Sequence, residues 1–135
     1  MAKLDLYLNY AGKCEEAFRF YEEHLGGRIM SMMRHEEHLN PGLPPEYRTK
    51  ILHAQLELGG TTLMGADIPG AEPMRSAYAS LTLDTAAEAD RIYGILADGG
   101  QIFMKMEETF FAARFAMLRD KFGTSWMLLA ERPRT

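Results

Sequence analysis

An α+β fold of two βαβββ modules is what this sequence predicts, and three observations carry the prediction. Segments that alternate apolar and polar residues with period 2 are interleaved with two segments whose apolar stripe repeats at helical spacing. Each helical segment ends at a glycine pair, Gly26-Gly27 and Gly99-Gly100. The order strand, helix, Gly-Gly, strand, connection, strand, turn, strand then occurs twice, on either side of a proline- and glycine-bearing stretch near the midpoint. Either half alone has one helix on a short sheet, too little to bury a core well, so the halves are expected to pack together. The modules are placed at about residues 1–66 and 77–135, with residues 67–76 as linker.

In the first half, residues 4–10 set Leu4, Leu6, Leu8 and Tyr10 against Asp5, Tyr7 and Asn9, the pattern of a strand with one apolar face. From Lys13 the period changes. Cys14, Ala17, Phe18, Tyr21 and Leu25 form a helical stripe, with Glu15, Glu16, Glu22 and Glu23 off it. Residues 28–34 read as a strand in which Met30, Met32 and Met33 supply flexible apolar bulk. Residues 36–47 contain Asn40-Pro41-Gly42-Leu43-Pro44-Pro45 and must be a loop. Residues 51–58 alternate again, with Leu52, Ala54, Leu56 and Leu58 on one face and His53, Gln55 and Glu57 on the other, and Gly59-Gly60 turns the chain into a strand at 61–64.

The second half repeats the order. A strand at 78–83 leads to a helix that Asp84 or Thr85 can cap, Thr85 and Glu88 having capping-box spacing. Ala89, Ile92, Tyr93 and Leu96 form its stripe, and a strand at 101–106 follows Gly99-Gly100. A hairpin closes the half, with strands at 112–119 and 124–130 around a turn of Asp120, Lys121, Phe122 and Gly123. It carries Phe111, Phe115, Met117, Trp126, Met127 and Leu129, and one unusual charge, Arg114, which must reach solvent or meet an anion because an unpaired buried cation costs several kcal/mol.

Composition bounds the function. A chain of 135 residues fits one domain but not a cofactor domain beside a substrate domain. A net charge of −4 without a dense run of Lys and Arg argues against nucleic acid and against a polybasic membrane anchor. Cys14, the single cysteine, rules out an internal disulfide, fits a reducing compartment and lies on the apolar helix stripe. No run approaches the roughly 20 apolar residues of a membrane span, so a soluble cytoplasmic protein is expected.

The chain resembles the vicinal oxygen chelate superfamily of glyoxalase I, bleomycin-resistance proteins and extradiol dioxygenases, and most closely its PhnB-like branch. The residues that carry the resemblance span nearly the full length: Tyr7-Leu8-Asn9-Tyr10, Glu16-Ala17 before Phe20-Tyr21, Leu25-Gly26-Gly27, His53-Ala54-Gln55-Leu56, Leu63-Met64-Gly65-Ala66-Asp67, Glu108-Thr109-Phe110-Phe111-Ala112-Ala113-Arg114-Phe115 and Asp120-Lys121-Phe122-Gly123-Thr124-Ser125-Trp126. The resemblance implies an open barrel of two curled modules, a homodimer, and a cavity in which His and Glu from four strands hold a divalent metal. Carried over, those ligand positions fall at Asp5 or Leu6, Leu63 or Met64, Tyr78, and Met127. Only Asp5 among them is a metal ligand of the usual kind, so no metal and no other cofactor is expected. The branch is sometimes labelled a demethylubiquinone methyltransferase, but no glycine-rich strand-to-helix motif is present.

If the leucine faces pack on the helices, the opposite faces turn Tyr7, Asn9, His53, Gln55 and Glu57 toward the cavity. His53 with Glu57 is the candidate catalytic pair, as general base or oriented donor; the alternative is a hydrogen-bonded interior histidine and a solvated strand end. Met64, Tyr78, Phe110, Phe115, Trp126 and Met127 either wall an apolar pocket or are plain core. Arg114 is the natural clamp for a carboxylate or phosphate. His35-Glu36-Glu37-His38 lacks the HExxH helix spacing and reads as a solvated loop. Two functions follow: a small-molecule binding protein without the family metal, or an enzyme of the superfamily that uses a displaced metal or acid-base chemistry at His53 and Glu57.

Overall fold

The computed structural model describes residues 1–133. The chain divides into two compact units, Met1–Glu72 and Pro73–Thr135. In the first, β1 (Leu6–Tyr10), α1 (Cys14–Leu25) and β2 (Arg28–Arg34) are followed by two short 3-10 turns, His35–Glu37 and Pro45–Tyr47, then by β3 (Ile51–Leu58) and β4 (Thr61–Asp67). The second contains β5 (Ala79–Leu83), α2 (Ala86–Ala97), β6 (Gln101–Glu107), β7 (Arg114–Arg119) and β8 (Ser125–Ala130). Their sheets have equivalent orders, β1-β4-β3-β2 and β5-β8-β7-β6. In both, the first strand runs parallel to the last while the other neighbours are antiparallel. The repeated βαβββ architecture is therefore present, and with it the α+β class.

In the first unit the helical stripe forms the core. Cys14, Ala17, Phe18 and Tyr21 are buried, as are Leu8, Tyr10, Ala54, Leu56 and Leu63 on the strands. Burying a side chain such as Phe18 is worth about 1.5–3 kcal/mol. The helix lies directly on strand backbone at Gly65, where a Cβ would stand 2.7 Å from Phe18 Cζ and 2.9 Å from Cys14 Sγ. Any larger residue there would force α1 away. At its far end α1 stops at Gly26, whose φ of 79° is left-handed and tolerated by glycine at no steric cost.

The second unit buries Ala89, Ile92 and Leu96 of α2, together with Ala116, Leu118, Trp126 and Leu128 of the hairpin strands. Thr85 is the N-cap, its side-chain oxygen accepting the Glu88 N–H at 3.0 Å. The Glu88 carboxylate instead pairs with Arg91 at 2.6 Å, so the capping box is only half formed.

Four sequence expectations shift. Leu4 lies outside β1 and is 89% exposed. β4 continues through Asp67, beyond the last residue of the predicted strand. Part of the midpoint stretch is fastened to the second unit: Met74 N–H donates to the Gly123 carbonyl, and the Met74 carbonyl accepts from the Arg119 guanidinium and the Ser125 hydroxyl. His35, expected in a solvated loop, is buried and its Nε2 lies 2.8 Å from the Asp67 carbonyl oxygen.

Candidate functional site: the open face of the first sheet

Strand alternation assigns the faces. Leu8 and Tyr10 of β1 are buried beneath α1, whereas Tyr7 and Asn9 are exposed on the other side. Tyr7 pairs with Met64 across β1 and β4, and Met64 with Gln55 across β4 and β3. Gln55 in turn opposes Ser31, and His53 opposes Met33. These pairings lay Tyr7, Met64 and Gln55 in one row across the sheet, flanked by Asn9 and His53. The Gln55 amide nitrogen stands 3.3 Å from His53 Nε2, and the Tyr7 ring lies 6.1 Å from the imidazole, tilted by 35°. Among the described residues, the Tyr7 hydroxyl, the Asn9 carboxamide and His53 Nδ1 have no hydrogen-bond partner within the chain, leaving them able to meet a ligand. Glu57 belongs to the same face but is exposed at its end, opposite Arg28, and it makes no contact with His53.

The second module places its residues differently. Phe115 and Met127 share the face away from α2, through the pairs Phe115↔Leu129 and Met117↔Met127. Tyr78 packs edge-on against Phe103 at 6.2 Å, and Arg119 lies 5.3 Å above the same Phe103 ring. Phe110 is 92% exposed in the β6–β7 connection and stacks edge to face on Phe111, which packs on Phe115. Two expected ligand contacts lie on the helix side instead. Arg114 extends to α2, its Nε donating to Asp90 at 3.0 Å, because strand parity puts it on the face of Ala116 and Leu118. Trp126 is buried on that same side, its Nε1 donating to Asp120 Oδ2 at 2.9 Å.

The metal positions of the superfamily do not suit a metal here. Asp5 Oδ1 accepts from Lys3 Nζ at 2.5 Å and from Thr62 N–H at 2.9 Å, and the lysine contact holds its carboxyl below the usual range. Leu6 and Leu63 face each other in register, and Met64, Tyr78 and Met127 offer no imidazole or carboxylate. Among the described residues no group of three or more His, Cys, Asp or Glu side chains is placed to hold an ion.

One buried polar group escapes a reading of the sequence because its partners are distant. The Asp67 carboxylate is buried and accepts from the N–H groups of Gly12, Cys14 and Ile51, each at 2.9 Å. It borders a cavity of about 250 Å³ between the start of α1 and Thr49-Lys50-Ile51. Glu15 on that rim is engaged by Arg34 and Arg19. Burial, then the Asp67 charge, push the Cys14 thiol far above its ordinary value, so it is an inert core group. Asp120 plays a local version of the same part, accepting from Phe122 and Thr124 N–H as well as from Trp126.

Two βαβββ modules with this sheet order have the fold of the glyoxalase/bleomycin-resistance proteins. Within that class the chain belongs to the PhnB-like family described as 3-demethylubiquinone-9 3-methyltransferase, which matches residues 2–129. It is 32% identical to Protein YjdN of Escherichia coli K12, over 93% of this chain and 92% of that protein. The structure of PA1353 from Pseudomonas aeruginosa is 37% identical, with a TM-score of 0.85 over 98% of this chain and all of that one. A Bacillus cereus structure described as a putative 3-demethylubiquinone-9 3-methyltransferase, PhnB protein, is 28% identical, with a TM-score of 0.80 over 96% and 99% of the two chains. At the level of fold alone, a glyoxylase/bleomycin resistance protein/dioxygenase domain from Frankia superposes with a TM-score of 0.67 at 16% identity, over 98% of each chain.

The family description names a methyl transfer, and the first strand-to-helix turn does not fit a nucleotide-type cofactor. It contains one glycine, Gly12, and the N–H groups of Gly12 and Cys14 that would greet an anionic group are already taken by Asp67.

Proposed function

We propose that this protein binds a small organic molecule on the open face of its first sheet without the superfamily's metal. The observation that carries the reading is the row Tyr7, Met64 and Gln55 beside His53 and Asn9. It is an apolar floor with polar groups left uncommitted by the fold. Tyr7 and Met64 supply apolar contact area, while Asn9, Gln55 and His53 orient the ligand by hydrogen bonds. Phe115, Met127, Tyr78 and Phe110 give the second module an apolar surface of its own, which the same reading assigns to ligand contact. A homodimer in the cytoplasm completes the proposal.

The test pairs elemental analysis of protein purified without added metal or chelator with native mass spectrometry. A retained organic molecule on a dimer, with no stoichiometric divalent metal, is the expected result. Near-stoichiometric metal would overturn the metal-free reading. Once a ligand is in hand, His53→Ala should weaken binding by about 1 kcal/mol, roughly fivefold. Turnover abolished with binding intact would instead establish catalysis at His53.

A further inference from the structure

We infer that the ligand of this face is electrically neutral, a planar molecule bearing a phenol, carbonyl or carboxamide group in place of a carboxylate, phosphate or phosphonate. The inference rests on the reading of the first sheet as a ligand face. The charged groups of that face stand at its edges and not at its centre. At one end Lys3 is bound to Asp5, and at the margin Glu57 stands opposite Arg28. The remaining arginines of the strands are committed elsewhere. Arg34 is held by Glu15 and the Thr49 carbonyl, Arg114 by Asp90, and Arg119 by the Met74 carbonyl. At the centre, Tyr7, Asn9, Met33, His53, Gln55 and Met64 carry no fixed charge.

An anion brought onto such a centre loses hydration without gaining a cation there. A neutral group meets both donors and acceptors. In the arrangement where Gln55 Nε2–H donates to His53 Nε2, the imidazole proton sits on Nδ1 and can donate outward, while the Gln55 carbonyl oxygen can accept. Asn9 and the Tyr7 hydroxyl offer both functions. The Tyr7 ring and the Met33 and Met64 thioethers suit a flat, polarizable ring.

The experiment is a titration of the isotope-labelled full chain, followed by nuclear magnetic resonance at Tyr7, His53 and Gln55. The probes are phenol and benzamide, against benzoate and phenylphosphonate. The neutral pair should bind this face at least about tenfold more tightly than the anions, a difference of about 1.4 kcal/mol. Gln55→Lys, which adds a cation to the centre, should reverse the order of benzamide and benzoate. Anions binding the unaltered protein as tightly as the neutral probes would overturn the neutral class while leaving the ligand face standing. If no probe moves these three residues, the ligand face itself falls and the inference with it.

Discussion

The two modules share a topology, yet they fasten their helices by different means. α2 begins with a local device, the Thr85 oxygen taking the N–H of a residue three positions later. α1 has no side-chain cap at Lys13. Its first N–H, that of Cys14, is taken by Asp67, a carboxylate at the far end of the module's last strand, which also holds Gly12 ahead of the helix and the first residue of β3. The second module keeps its buried carboxylate, Asp120, inside the turn it organises. Tying together three separate segments makes the first module cooperative around one residue, whereas the second distributes the same task among short-range contacts.

Asp67→Ala should therefore produce the largest effect. It leaves three N–H groups without their acceptor at about 1–3 kcal/mol each where they stay buried, so a loss of at least about 3 kcal/mol is expected in urea unfolding. Amide exchange should quicken first at Gly12, Cys14 and Ile51. Asp120→Ala comes next, at about 2–3 kcal/mol, because the Phe122 N–H that it releases is only part-buried. Trp126 is the only tryptophan, so its fluorescence reports the loss directly. If the two variants proved equally costly, the contrast between the modules would not reside in their carboxylates. Thr85→Ala should cost about 1 kcal/mol, the usual worth of an N-cap.

The smallest effect is one of pH. Hydrogen bonding from Arg34 holds the Glu15 carboxyl below its usual range. A depressed folded value means the contribution is present above the unfolded value of about 4.3 and fades as pH falls through the folded one. The pair is about a third exposed, so screening keeps the contribution within about 1 kcal/mol. Glu15→Gln should lower neutral stability by up to about 1 kcal/mol and flatten the acid limb of the stability curve below about pH 4.3, with little change at the lowest pH.

The same contrast explains what could be read from residues alone. Apolar patterning and turn signals located the eight strands and both α-helices of the described residues but not the 3-10 turns at His35–Glu37 and Pro45–Tyr47, and the Thr85 cap was visible because donor and acceptor lie three residues apart. Parity also set Tyr7, Asn9, His53 and Gln55 on one face. Arg114 and Trp126 were harder. Both lie on a hairpin rich in large side chains on either face, so hydrophobicity alone could not fix which parity meets α2. Asp67 and His35 were invisible for another reason. A proline- and glycine-bearing neighbourhood reads as loop, and the partners that make these two polar groups buried are 16 to 55 residues away in sequence.

The strap at Met74 has a consequence for how the chain can be divided. Because its carbonyl and amide are bonded to Arg119, Ser125 and Gly123, the connector travels with the second module. A seam placed ahead of Pro73 keeps those anchors intact, whereas one cut after Ser76 would strip them from the second half. Genes split at these two places and co-expressed as halves should thus differ in yield. The inheritable building block of this architecture is a module that brings its own leader segment.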